Sequence, residues 1–255
     1  MATDSIQSFA DCVSQVEKNQ LLGVNLVNAL AWLLILVLVS ASMGVALLLL
    51  VPGWILRRVL SEYHVRRIQA LGATVSESQF PELHKAAAEV LARFGVMEVP
   101  RIIVISSGET NALALKFARQ RVVVLLSELV EGIVESPAQL RFLLAHEFCH
   151  GALDHGWRGI FELYKPAKYR QGRELTCDCA GVVAAAQAQE ARMVIRRLCV
   201  GNRLSARVNE LALKLEAETI YSGFSGWLLR RHLTHPPAGV RLKNIDAFAR
   251  AHAIG

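Results

Sequence analysis

No Asp, Glu, Lys or Arg occurs between Lys18 and Arg57, a run of 38 positions. That absence excludes an ordinary soluble domain as the whole account of the chain, because ~20 apolar residues already suffice to cross a bilayer. Charge is not scarce elsewhere: 20% of the 255 residues are charged, too many for a bundle of membrane helices alone. Internal repeats and low-complexity segments are missing, and a net charge of +6 with 53% hydrophobic residues excludes a disordered chain. Cysteine is sparse and odd in number: Cys12, Cys149, Cys177, Cys179 and Cys199. No CxxC pair is present, which argues against a disulfide framework and for a reducing compartment. There is also no dense basic stripe with interleaved aromatics, which counts against nucleic acid as a partner. No small-x-small cleavage site ends the apolar run, and acidic residues precede it, so a cleaved signal peptide is excluded.

What is present begins with the apolar run itself. Trp32 and Trp54 lie 22 residues apart, roughly 33 Å along a helix. Tryptophan favours membrane interfaces, so the expected organisation is an N-terminal segment over 1–31, one transmembrane helix over 32–54, and a domain over 57–255. A shallow hairpin turning near Ser40–Gly44 is the alternative, since the run can also make two short, tilted passes. Residues 1–56 carry one Lys against three acidic residues, whereas Arg57, Arg58, Arg66 and Arg67 follow the run. The positive-inside rule then puts the domain in the cytoplasm.

The rest of the chain reads as a mostly helical α+β domain. Ser78 followed by Pro81 predicts a helix start, and Gly95 its end. Arg101–Ser106, Thr110–Phe117 and Arg121–Leu126 are short, β-branched or alternating, and predict a small antiparallel sheet. Ser127 opens a short helix. Ser136-Pro137-Ala138-Gln139 combines an N-cap, Pro at the first helical position and a capping-box Gln, and so starts a helix. Further helices are expected near 169–189, 191–217 and 240–252. The loop before the last helix begins near Ser222–Gly226 and contains Pro236-Pro237.

The helix opened by Ser136 carries the chemistry. His146-Glu147-Phe148-Cys149-His150 is HExxH. Positions i and i+4 share a helix face, so His146 and His150 can reach one Zn²⁺, with Glu147 beside them to take a proton from water. A catalytic zinc needs a third protein ligand. Glu174 and Asp178 are again one turn apart, in a stretch rich in Leu, Ala and Val that reads as buried. Glu174 can bind the metal, and Asp178 can accept a hydrogen bond from a ligand imidazole.

HExxH followed by Glu174-x-x-x-Asp178 resembles the HtpX-like zinc metalloprotease family, which includes the CaaX prenyl endopeptidases. Asn111-Ala112-Leu113-Ala114 is similar to the strand that this family places along its substrate cleft. Thr234-His235-Pro236-Pro237 with Arg241 is similar to its late His-Pro motif. The resemblance implies a zincin-like (gluzincin) fold and a zinc endopeptidase with one Zn²⁺ per chain. It implies polypeptide substrates, in particular misfolded or membrane-proximal proteins, with the lipid bilayer as a second partner. Glu147 is then the base, His235 a second catalytic group, and Arg241 a support for His235 or for a carboxylate of the metal shell. The oligomeric state stays open. Two departures stand out: Cys149 replaces a small residue, and only 23 residues separate His150 from Glu174. The competing reading is a membrane-tethered chaperone or adaptor with a structural or vestigial zinc, against which an intact Glu147 argues.

Overall fold

The computed structural model describes residues 6–42, 44–97, 100–106, 112–117, 120–153, 166–233 and 235–255, with the backbone alone at 112–117, 120 and 121. A 3-10 turn at Phe9–Cys12 leads into α1 (Gln15–Ala41). Ser14 caps α1 by accepting from the Glu17 N–H, the start that a Ser-x-x-Glu pattern specifies. After a turn around Ser42–Ala46 the chain enters α2 (Leu47–Leu71). The expected single helix over 32–54 is therefore corrected to a helix, a turn and a second helix. Gly44 at φ 88 supplies the left-handed backbone that the reversal requires. Among the described helices, α1 is the one long and apolar enough to cross a membrane.

A small sheet and a helical body follow. The strands are β1 (Gly72–Thr74), β2 (Arg101–Ile105), β3 (Ala112–Phe117) and β4 (Gln120–Leu126). Their order in space is β1-β2-β4-β3, and β2 pairs with β4 in parallel, while β1–β2 and β3–β4 are antiparallel. The expected wholly antiparallel sheet is thus corrected to a mixed one. The reason lies in β4: Val122, Val123, Val124 and Leu125 are all buried, and a strand buried on both faces takes a central place. β3 moves to the edge. Alternation then divides the sheet. Ile102, Val104, Val123 and Leu125 face the main core, whereas Ile103, Val122 and Val124 pack with Val65 of α2 on the other side.

The helices are α3 (Pro81–Arg93), α4 (Ser127–Ile133), α5 (Pro137–Ala152), α6 (Ala167–Ala185), α7 (Ala188–Val200), α8 (Glu210–Thr219), α9 (Gly223–His232) and α10 (Ala238–Ala251). α5 and α6 form the centre of the main core. Gly181 lets them approach, since a Cβ there would stand 2.6 Å from the Phe142 ring.

The N-terminal segment belongs to that body. Ile6, Phe9 and Cys12 are buried in the main core. The Ser14 N–H donates to Thr176 Oγ1 at 2.9 Å, the Ser14 hydroxyl donates to Gly172 O at 2.8 Å, and Thr176 Oγ1 donates to Glu17 Oε2 at 2.6 Å. Gly172 makes this seat possible, because a Cβ would meet the Glu17 N at 2.7 Å and Cα at 2.9 Å. Both obstacles are backbone and cannot rotate away. Gly172→Ala should therefore destabilise the protein by about 1–3 kcal/mol, the usual cost of overpacking, read as a lowered Tm in detergent. An unchanged Tm would mean that the start of α1 does not rest on α6.

Candidate metal centre

α5 is fixed at its start and buried along its length. The Ser136 hydroxyl accepts from the Gln139 N–H at 3.4 Å, and Pro137 occupies the first turn. The Gln139 side chain does not close the capping box; it donates to Glu190 on α7 at 2.7 Å. Residues Ala138–Leu140 and Phe142–Cys149 are buried, so the HExxH segment is held from several sides. His146 and His150 stand one turn apart with ring centroids 5.0 Å from each other.

α6 brings the acidic partners to this face. His146 Nε2 is 3.5 Å from Glu174 Oε2, and His150 Nε2 is 3.3 Å from Glu174 Oε1. One ligand atom from each residue fits within 4.8 Å of the others, and among the described residues this is the group of His, Cys, Asp and Glu that could hold a metal ion. Ligands placed tetrahedrally at ~2.0–2.1 Å from zinc stand roughly 3.3–3.4 Å apart. The two imidazoles reach different oxygens of Glu174 at comparable distances, and the His₂Glu donor set suits that ion.

Behind the triad lies a buried chain of charge. His146 Nδ1 is 3.1 Å from Asp178 Oδ1, although the ring meets the carboxylate off-line and no straight hydrogen bond forms. Arg241 of α10 grips Asp178 with two parallel bonds, Nε to Oδ2 at 2.8 Å and a terminal nitrogen to Oδ1 at 2.6 Å. Of the two partners expected for Arg241, the contact is with the carboxylate. His235 Nδ1 lies 3.0 Å from Glu174 Oε2, with 67% of its side chain exposed, so it stands at the mouth of the centre.

The electrostatics follow from this packing. Burial alone would raise the pKa of Glu174, but the imidazoles of His150, His146 and His235 hold it well below the usual carboxylate range. Burial would lower that of His146, yet Asp178 and Glu174 override it and raise the metal-free imidazole to about 10. Asp178 is lowered despite complete burial, chiefly by Arg241 and then by His146. The stability that its ionised form contributes is full at neutral pH. It fades only as the pH falls from the ordinary carboxylate value toward the lowered native one.

Other expected residues fall as follows. Glu147 is buried on α5, between His146 and His150 in the chain. Ala112, Leu113 and Ala114 lie on the edge strand β3, opposite Leu125, Val124 and Val123, and β3 runs close to α5. Asn111 lies outside the described residues. Cys149 and Cys177 are fully buried against each other, and burial, then Cys149, pushes the Cys177 thiol well up, which leaves it protonated. Sequence reasoning missed Ser14, Glu17, Gly172 and Thr176, which seat α6 from behind; the Ser14-x-x-Glu17 capping pattern was the available signal.

The comparisons agree with the geometry. Residues 77–165 match peptidase family M48, the family of HtpX and the CaaX prenyl endopeptidases. That family is one of metallopeptidases, and the matched stretch contains the whole HExxH. It stops short of Glu174, Asp178, His235 and Arg241, which enter the centre on their placement alone. No curated protein and no solved structure matches the chain.

A metal held by this triad should be lost in Glu174→Ala, which removes a donor. Asp178→Asn should only weaken retention by about 10–100-fold, as losses behind a ligand do. Metal content after dialysis against graded chelator separates the two. Full and equal occupancy in both variants would move the third ligand elsewhere.

Proposed function

We propose that the chain is a membrane-anchored, zinc-dependent endopeptidase that hydrolyses peptide bonds in misfolded or membrane-proximal proteins. The observation that carries this is the buried His146–His150–Glu174 triad with Glu147 on the same helix as both histidines. A zinc ion held there supplies Lewis acidity for a carbonyl group and for water. Glu147 takes the proton from the attacking water and passes it to the leaving amine. His235, at the mouth, donates to the oxygen that gains negative charge in the transition state. Arg241 keeps Asp178 ionised, and Asp178 in turn orients His146. A substrate strand pairs with the open edge of β3 around Ala112–Ala114, so recognition rests mainly on backbone hydrogen bonds and tolerates many sequences.

The membrane anchor is best read as a shallow hairpin. Residues 6–17 share a core with the body that follows α2, so the apolar stretch starts and ends on one side. Trp32 lies ten residues before the turn at Ser42, and Trp54 lies eight after Ala46. The two tryptophans therefore sit at one level, not at opposite interfaces. Below them both arms become polar, at Asn28 and Asn25 on α1 and at Arg57 and Arg58 on α2. The apolar start of α2, Leu47–Leu56, is roughly 15 Å long, about half the hydrocarbon thickness. The arginines at the base support a cytoplasmic body.

Three measurements test these readings. Glu147→Gln should retain zinc and lose about 10²-fold or more in proteolysis, and His235→Ala should lose about 10²–10³-fold in kcat with KM little changed. Normal cleavage by zinc-loaded Glu147→Gln would overturn the mechanism, and loss of zinc in His235→Ala would make that residue a ligand. A reporter fused after Gly255 that is active only outside the cytoplasm should stay silent; strong activity would reverse the orientation.

A further inference from the structure

α9 presents an apolar stripe to the outside. Phe224, Trp227 and Leu228 occupy i, i+3 and i+4, and are 78%, 47% and 44% exposed. The Phe224 and Trp227 rings stack at 5.7 Å, Arg231 lies 4.3 Å above the Trp227 ring, and Arg230 lies 4.6 Å above the Tyr221 ring. An isolated helix of ten residues is marginal in water, and such a stripe needs a partner.

The position of α9 identifies the partner. Cys12 lies near Cys179, Ser14 bonds Thr176 and Gly172, and Gly172 faces the Glu17 backbone. The chain thus runs antiparallel to α6 and leaves the body at the N-terminal end of α6. There Gln171, next to Gly172, donates its amide to Arg230 O at 3.3 Å and Leu233 O at 3.1 Å and so carries α9. α1 stays packed until Val24, which is buried, one turn before Asn28. The exposed stripe therefore sits at the end of the body that faces the bilayer. Aromatic and aliphatic side chains bordered by arginines match the chemistry of a headgroup region.

We propose that the Phe224–Trp227–Leu228 stripe of α9, bordered by Arg230 and Arg231, docks on an anionic bilayer surface beside the hairpin. The proposal rests on the membrane-anchored reading above. The test is hydrogen–deuterium exchange on the full chain in phosphatidylcholine nanodiscs, in nanodiscs that also contain phosphatidylglycerol, and in detergent. Amides of 223–232 should exchange roughly 10–30-fold more slowly in the anionic discs than in the neutral ones, the size expected for two arginines near such a surface. Arg230→Glu/Arg231→Glu should remove that difference while exchange in α5 and α6, measured in the same run, reports an intact fold. Residues 29–56 read the hairpin separately: free exchange there in discs ends the anchoring reading and this proposal together. With the hairpin protected, equal exchange of 223–232 in both lipids overturns the docking alone. So does protection that follows protein concentration, which marks a second copy, or that follows added casein in detergent, which marks a polypeptide.

Discussion

The carboxylate of Asp178 is the point on which the centre depends. It has no solvent exposure, and an ion that far from water costs several kcal/mol unless its partners are close and well aligned. Arg241 meets that requirement with its two parallel bonds, and His146 takes the remaining side. The three residues come from α6, α10 and α5, so one charge chain fixes three helices relative to one another. The fork of Arg241 is planar and always charged, which sets both the direction of the carboxylate and its ionisation. An imidazole facing that carboxylate through Nδ1 presents Nε2 to the triad, the orientation a metal ligand needs.

α6 works through two opposite faces. Glu174 and Asp178 look toward α5 and α10, while Gly172 and Thr176 look toward the N-terminal segment. A helix pressed from one side only could rotate by a few degrees and spoil ligand distances that must agree to tenths of an ångström. Here the Ser14–Thr176–Glu17 seat opposes the buried charge chain. The same seat starts α1, so the apolar helix and the helix that carries Glu174 share one mechanical support.

Much of the centre was legible because helix periodicity and HExxH are local. His146, His150, Glu174 and Asp178 follow from i, i+4 spacing on two buried helices, and the Ser136–Gln139 start fixed the first of them. What escaped was non-local. Strands read in chain order give a meander, and only the unbroken apolar run Val122–Leu125 betrays that β4 is central. The sequence of α9 suggests a loop because Ser222, Gly223, Ser225 and Gly226 carry turn chemistry. Gly226 is instead a packing residue, since a Cβ there would collide with the Tyr221 backbone. The apolar run has no charge to mark a turn, so one span and the alternative turning near Ser40–Gly44 stay open together. Its two tryptophans fit opposite interfaces or a single one equally well until the break at Ser42–Ala46 is known.

The mouth of the centre and α9 are tied through a short stretch of chain. Gln171 holds Leu233 O, and His235 follows two residues later, before Pro236 and Pro237 restrict the backbone into α10. α10 then delivers Arg241 to Asp178. The exposed imidazole at Glu174 is therefore suspended between two fixed points, the amide clamp on α6 and the buried ion pair. With so few residues between them, His235 has little freedom of its own. Its place over the triad is set by where α9 ends. A surface that holds α9 still would hold the mouth of the centre still as well, and would leave that mouth close to chains emerging from the membrane.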